Sequence, residues 1–255
     1  MKIPFLTPNK ITPKTLAHIQ WKNVAYDDER KIFEPFSVNK DVIGDVFVDI
    51  SKHYHGEENL MIQIKNRLGK ILGRELMSMD KDKSKKMFGF NIQVEEDYRR
   101  KKSFRIGELL RLASIMEMME NKSPHIKIYS KDTAVYFHTK YKFEPDITAF
   151  TERDLALQTI IKEKSPQFTD LKEKAEKLFD EAIATIGDGP KQRELCEKTN
   201  TILKEYLQRA VLEEKPDKKH PFTNGFYMIL KNETINKNKE FFNKLFEQQG
   251  IDYKI

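Results

Sequence analysis

The sequence predicts an α+β fold, a mixed central sheet flanked by helices, followed by an all-α C-terminal domain. Three observations carry that expectation. Segments with the period of a half-buried strand recur as far as Val94. Between Tyr98 and Phe143 a basic turn, an apolar-periodic helix, a short strand and a second short helix follow in order. After Thr151 the texture becomes helical. Strands interleaved with two helices read as α+β, and the change of texture divides the chain into domains at 1–150 and 151–255.

Residues 1–40 carry Pro4, Pro8, Pro13 and Pro35, with a helix expected from Pro13 to Lys22. The run from Asp45 to Ile50 alternates polar and apolar residues, as a half-buried strand does. Asn59 to Leu68 fits a strand or a short helix. Ile71 to Met79 and Met87 to Val94 read as two strands joined by the charged loop Asp80 to Lys86, an antiparallel hairpin. From Ile106 to Asn121, Leu109, Leu110, Leu112, Ala113, Ile115, Met116 and Met119 mark a broad helical face. Ser123-Pro124 ends it. His125 to Tyr129 reads as a strand, Thr133 to Tyr141 as a helix capped from Ser130 to Thr133, and Ile147 to Phe150 as a last strand. Helical spacing then covers Thr151–Lys164, Phe168–Ile186, Lys191–Leu212 and Glu233–Gln249, with breaks at Ser165-Pro166, at Gly187 to Pro190, and from Glu214 to Pro221.

Composition narrows the function classes. The chain has 255 residues, 38% hydrophobic and 34% charged, enough for a sizeable core. No window reaches the roughly 18 apolar residues of a membrane span, and the start, MKIPFLTPNKITPK, lacks a signal peptide's apolar centre. Cys196 is the only cysteine, which excludes an internal disulfide. We expect a cytoplasmic protein without a membrane partner. The net charge is +6, but its 46 basic residues are mixed with 40 acidic ones. Interspersed charge marks a solvated surface, which argues against nucleic acid as the main ligand.

His53-x-His55 is the only close histidine pair, and nothing else stands at metal-ligand spacing, so no metal is expected. No Gly-x-Ser-x-Gly and no Gly-x-x-x-x-Gly-Lys-Ser/Thr occurs. The feature that points to chemistry is Arg99, Arg100, Lys101, Lys102 and Arg105, five cations with no acid between them, running into Ile106-Gly107 at a helix start. Unpaired N–H groups and the positive end of the helix dipole converge at such a turn, which is where phosphates bind.

The order strand, basic turn, Gly-opened helix, strand, short aromatic helix resembles the GNAT N-acetyltransferase superfamily. Residues from about 15 to 150 share that order, and the specific motifs lie between Gly89 and Phe143. The family's phosphate turn, Gln/Arg-x-x-Gly-x-Gly/Ala, corresponds to Lys102-Ser103-Phe104-Arg105-Ile106-Gly107. Its downstream Asn/Asp, Ala and Phe-Tyr-x-Lys-x-Gly-Phe correspond to Asp132, Ala134 and Phe137-His138-Thr139-Lys140-Tyr141-Lys142-Phe143. The sequence departs from the pattern at Arg105 and Lys142, each standing where the family has Gly, and in a longer turn between Val94 and Gly107.

The resemblance implies acetyl-CoA as co-substrate and an amine as acceptor. Arg99, Arg100, Lys101, Lys102 and Arg105 would surround the phosphates, with backbone N–H groups of Ser103, Phe104, Arg105, Ile106 and Gly107 donating to them. The main chain of Ile92 and Val94 would pair with the pantetheine amides as an added strand does. His138 stands where similar proteins place a Tyr that protonates the departing thiolate, and an imidazole with a reference pKa of about 6.5 can do that work. A helix-face histidine satisfied by a carbonyl is the plainer alternative, and Tyr136 is expected in the core. Glu75 or Glu95 would be the base that deprotonates the amine. Glu96 follows Glu95 on a strand, so only one of them can face a cleft. A catalytically silent CoA-binding module and a helical protein- or nucleic-acid-interaction protein stay open beside the enzyme, and a homo-oligomer is compatible with each.

Overall fold

The computed structural model describes residues 20–25, 28–33, 46–52, 57–65, 68–80, 84–99, 105–212, 222–249, 251 and 253–255. The chain forms two compact units, Met1–Ile126 with Asn232–Ile255, and Lys127–Lys231. The boundary expected at residue 150 therefore falls elsewhere. The chain leaves the first unit at Ile126 and returns to it at Asn232.

The first unit is built on six strands, β1 (Gln20–Ala25), β2 (Asp28–Phe33), β3 (Val46–Lys52), β4 (Glu57–Lys65), β5 (Ile71–Asp80) and β6 (Met87–Val94). Each pairs antiparallel with the next. The expected hairpin of β5 and β6 is present, and β4 resolves the strand-or-helix alternative in favour of strand. The register sets Ile62 opposite Glu75 and Ile64 opposite Gly73, with Ile92 and Val94 completing those rows on β6. Leu60, Ile62 and Ile64 are buried while Met61 between them is exposed, the period-2 pattern of a one-sided sheet. Phe90 is an extra residue on β6, since Leu76 pairs with Asn91 but Met77 pairs with Gly89. This bulge breaks the ladder locally and twists the strand.

A single-turn helix α1 (Glu96–Arg99) follows β6, and then α2 (Ile106–Glu120) packs on β4, β5 and β6. Burial runs from Ile106 to Met118 with only Gly107 half-buried, as expected of a helix that is covered on every side. Two C-terminal helices complete the unit, α7 (Asn232–Lys237) and α8 (Lys239–Gln248). The single helix expected over 233–249 is thus two, broken at Asn238, whose φ of −116° is not helical. Gln20 to Lys22, expected as the end of a helix, lie in β1.

In the second unit β7 (His125–Asp132) leads into α3 (Ala134–Lys140) and the two-residue strand β8 (Glu144–Pro145). Helices α4 (Phe150–Ile161), α5 (Thr169–Ala184) and α6 (Gly189–Val211) pack on one another. Asp188 caps α6 by accepting from Lys191 N at 3.0 Å. The strand expected over 147–150 is absent, because the Asn200 side chain takes both Ile147 N and Ile147 O and α4 starts at Phe150. The all-α expectation for 151–255 is also corrected. Strand β9 (Phe222–Lys231) lies between β7 and β8 and pairs antiparallel with β8. Gly225 lets it in: with φ 61°, a Cβ there would stand 2.6 Å from Ser130 O.

Candidate functional site

The basic turn begins where β6 ends. Glu95 N donates to Leu72 O at 2.9 Å, and Glu95 O accepts from Tyr98 N and Arg99 N at 2.9 Å each, which rolls the chain into α1. Arg99 is exposed. Arg100, Lys101, Lys102, Ser103 and Phe104 lie outside the described residues, as do His53 and His55. The chain re-enters description at Arg105, the N-cap of α2, with φ 44° and ψ 38°. A left-handed conformation costs an L-residue roughly 1–2 kcal/mol relative to Gly. Arg105 O accepts from Glu108 N at 2.9 Å and Leu109 N at 3.0 Å, which starts the helix.

The start of α2 is pressed onto the sheet. Ile106, Leu109 and Leu110 are buried, and Gly73 on β5 admits them: a Cβ there would stand 2.6 Å from Ile106 Cγ2 and 3.2 Å from Leu110 Cδ1. The first amides of a helix have no carbonyl partner within it. The helix dipole favours negative charge at this end, and Glu108 supplies it beside Arg105. Glu108, in the same first turn, is only 3% exposed. Arg105 Nη1 donates to its Oε1 at 3.2 Å, and Gln249 Nε2 donates to the same oxygen.

Glu75 is placed deeper than a solvated base would be. It stands on β5 between Ile62 and Ile92, 1% exposed, with Arg111 Nη1 of α2 at 3.1 Å from Oε1. Arg111 is wholly buried and donates to Ser114 Oγ at 3.3 Å. Burial pushes the carboxyl up to about 7, with the Arg111 charge pulling the other way. Glu95 is exposed at the end of β6, and Ile92 and Val94 are half-buried. Sequence reasoning missed Arg111, though an arginine inside Leu109-Leu110-Arg111-Leu112-Ala113 signals a buried ion pair. It also missed Gly73, Glu108 and Gln249, whose partners are distant in sequence.

His138 belongs to the second unit. It is buried on α3, with the rings of Phe137 and Phe143 at 5.1 and 5.6 Å. Its carbonyl accepts from Tyr141 N at 2.9 Å and Phe143 N at 3.2 Å, closing the helix. Lys142 follows with φ 66°. Tyr136 is in the core, its ring 6.0 Å from that of Phe222. Among the described residues no group of three or more His, Cys, Asp or Glu could hold a metal ion. Among them, too, no helix is long and apolar enough to cross a membrane.

No family model matches the chain, and no curated protein matches it. Among solved structures the chain is similar to the crystal structure of nourseothricin acetyltransferase, at 11% identity and a TM-score of 0.31. The likeness covers 45% of this chain and 69% of that one. So shallow a likeness decides neither the fold nor the chemistry.

Proposed function

We propose that the chain binds acetyl-CoA at the turn that opens α2 and transfers its acetyl group to an amine. One observation carries this reading. At both positions where the sequence replaces a GNAT glycine, Arg105 and Lys142, the backbone keeps a left-handed conformation, with φ 44° and 66°. At Lys142 the conformation closes α3, as it closes α2 at Lys122, with Phe143 N donating to His138 O and Ser123 N to Met118 O. Arg105 opens a helix, and its conformation there is what supports a turn whose shape matters more than its side chain.

Acetyl-CoA supplies the activated acetyl thioester. In this reading the amides of Ser103 to Gly107 and the side chains of Arg99, Arg100, Lys101, Lys102 and Arg105 hold its phosphates, and the main chain of Ile92 and Val94 orients the pantetheine arm. Glu95, exposed at the strand end, is the carboxylate able to take a proton from an ammonium, which has no lone pair until it loses one. Glu75 is sealed under α2 against Arg111, and we assign it to holding the helix instead. His138 as the thiolate acid rests on the resemblance alone.

The test is calorimetric titration of the purified chain with acetyl-CoA, beside a Lys102→Ala/Arg105→Ala double variant. Micromolar binding that weakens at least tenfold in the variant is expected. No binding by the wild type at high protein concentration removes the acetyltransferase reading. The burial of Glu75 also favours a second reading, a CoA-binding module without turnover. Tight binding with no thiol release on a panel of small amines, peptide N-termini and lysine peptides would select it.

A further inference from the structure

The second unit carries a group of side chains that acetyl transfer leaves without a task. Lys127 and Tyr129 stand two residues apart on β7 and so share one face, while Ile128 and Ser130 are buried on the other. On the neighbouring strand β9, Tyr227 is exposed between buried Phe226 and Met228. The two tyrosine rings meet edge to face at 5.3 Å and remain 47% and 40% exposed. The Tyr129 hydroxyl donates to Asn224 O, which lays its ring across β9 at Gly225, where a Cβ would stand 2.9 Å from Tyr129 Cε1. Asp146 N donates to Tyr227 O at 2.8 Å, which fixes an acid beside that strand. Lys127 Nζ pairs with Asp146 at 2.6 Å and lies 4.8 Å from the centre of the Tyr227 ring, within cation–π range. Glu152, in the first turn of α4, adds a second carboxylate. Its Oε2 is sealed from water and has no hydrogen-bond donor among the described residues. Burial raises its carboxyl above the ordinary value, with Lys127 pulling the other way and Asp146 adding to the rise. Its charge also acts on the Tyr129 phenol, which burial and then Glu152 raise.

We propose that this face of the second unit binds a primary ammonium group, with the rings of Tyr129 and Tyr227 as its walls and Glu152 as its anion. Charge selects a cation. Asp146 and Glu152 are two carboxylates against the one ammonium of Lys127, and Lys127 is committed to Asp146 at 2.6 Å. Glu152 is the acid left to be neutralised, on a chain whose net charge is +6. The exposed rings select an organic cation, because a ring face attracts positive charge and its surface takes an apolar stem. Lys127 over Tyr227 is such a cation already seated, supplied by the chain itself. The single accessible oxygen selects ammonium over guanidinium. A guanidinium pairs best with both oxygens of a carboxylate in a fork, and Oε2 of Glu152 is sealed. An ammonium is a point charge and is served by one oxygen. The plain alternative is a carboxylate held in place only by the dipole of α4. The site is independent of the acetyl-CoA reading, and its failure leaves that reading standing.

The experiment is a titration of the full chain with butylammonium chloride, followed by the tyrosine ring resonances in carbon–proton NMR. Guanidinium chloride and sodium chloride at equal ionic strength are the comparators. Saturable shifts at Tyr129 and Tyr227 are expected with butylammonium, with a dissociation constant on the order of millimolar. Glu152→Gln should weaken binding about tenfold, and Tyr227→Leu by roughly threefold, the scale of one exposed cation–π contact. Lys127→Met removes the resident cation, uncovers the Tyr227 ring and leaves Asp146 without its partner, so it should tighten binding about tenfold. That gain is the arm a purely structural cluster cannot produce, and it decides the matter if Glu152→Gln does not fold. Butylammonium binding that Glu152→Gln leaves unchanged, or that Lys127→Met fails to tighten, overturns the proposal. Guanidinium binding as tightly as butylammonium overturns the choice of ligand class. Shifts that sodium chloride reproduces overturn the site itself.

Discussion

Glu75 holds a charge where water cannot reach it, and that makes the first unit sensitive to pH. Its carboxyl titrates near 7 in the folded chain because burial raises it, against an ordinary value of 4.5. A group raised by folding binds more protons in the native state, so its contribution to stability is present below about pH 4.5 and lost as pH rises through 7. The span corresponds to at most roughly 3 kcal/mol. Urea unfolding from pH 5 to 8 should therefore show a falling midpoint in the wild type. In Glu75→Gln the slope should be absent, so the variant should lie close to the wild type near pH 5, where the wild-type carboxyl is already neutral, and above it near pH 8. A variant with the wild-type slope would show that another group titrates there. The sequence made Glu75 visible as an acid beside apolar residues, but its partner Arg111 is 36 positions away, and no local pattern joins them. The left-handed conformations of Arg105 and Lys142 were not legible, since only coordinates give φ.

Elements with a clean period were the legible ones. The strand expected over 87–94 matches β6, and the helix expected over 106–121 matches α2 to within a residue. The strand β9 was hidden because Phe226-Tyr227-Met228-Ile229-Leu230 is a continuous apolar run in which alternation cannot be seen, although Phe226, Met228 and Leu230 are the buried set. In β1 and β2 the runs QWKNVA and DERKIF are too polar to announce a strand. The contact between β5 and α2 was equally silent, because it depends on the missing side chain of Gly73. Gly73→Ala would place a methyl 2.6 Å from Ile106 Cγ2 and 3.1 Å from Gln93 O. We expect a loss of about 1–3 kcal/mol, the usual cost of overpacking, and weaker CoA binding as the start of α2 is displaced. Ile106→Ala removes the clashing methyl. The double variant should then lose less than the sum of the single losses in urea unfolding, and strict additivity would show that the two residues do not oppose each other.

At the scale of the whole molecule the informative feature is the return of the chain to its first unit. Nothing in the local pattern of Asn232 to Ile255 tells that these residues belong with Met1–Ile126 rather than with the helices just before them. Their amphipathic helices bury Ile235, Phe242, Leu245 and Phe246, which a sequence can show, but the identity of the surface they bury against is a property of tertiary structure. Gln249 touching Glu108 across 141 residues, and Asn232 N donating to Pro124 O at 2.9 Å, are contacts of that kind. Removing 232–255 should therefore harm the first unit selectively. In hydrogen exchange, the truncated chain is expected to lose protection along α2, whose contacts with Gln249 and Asn232 are gone. The amides of α4, α5 and α6 should keep theirs, since their burial comes from one another. Loss of protection in both units together would mean that the chain folds as one cooperative body. Unchanged protection along α2 would mean that β4, β5 and β6 hold the helix unaided.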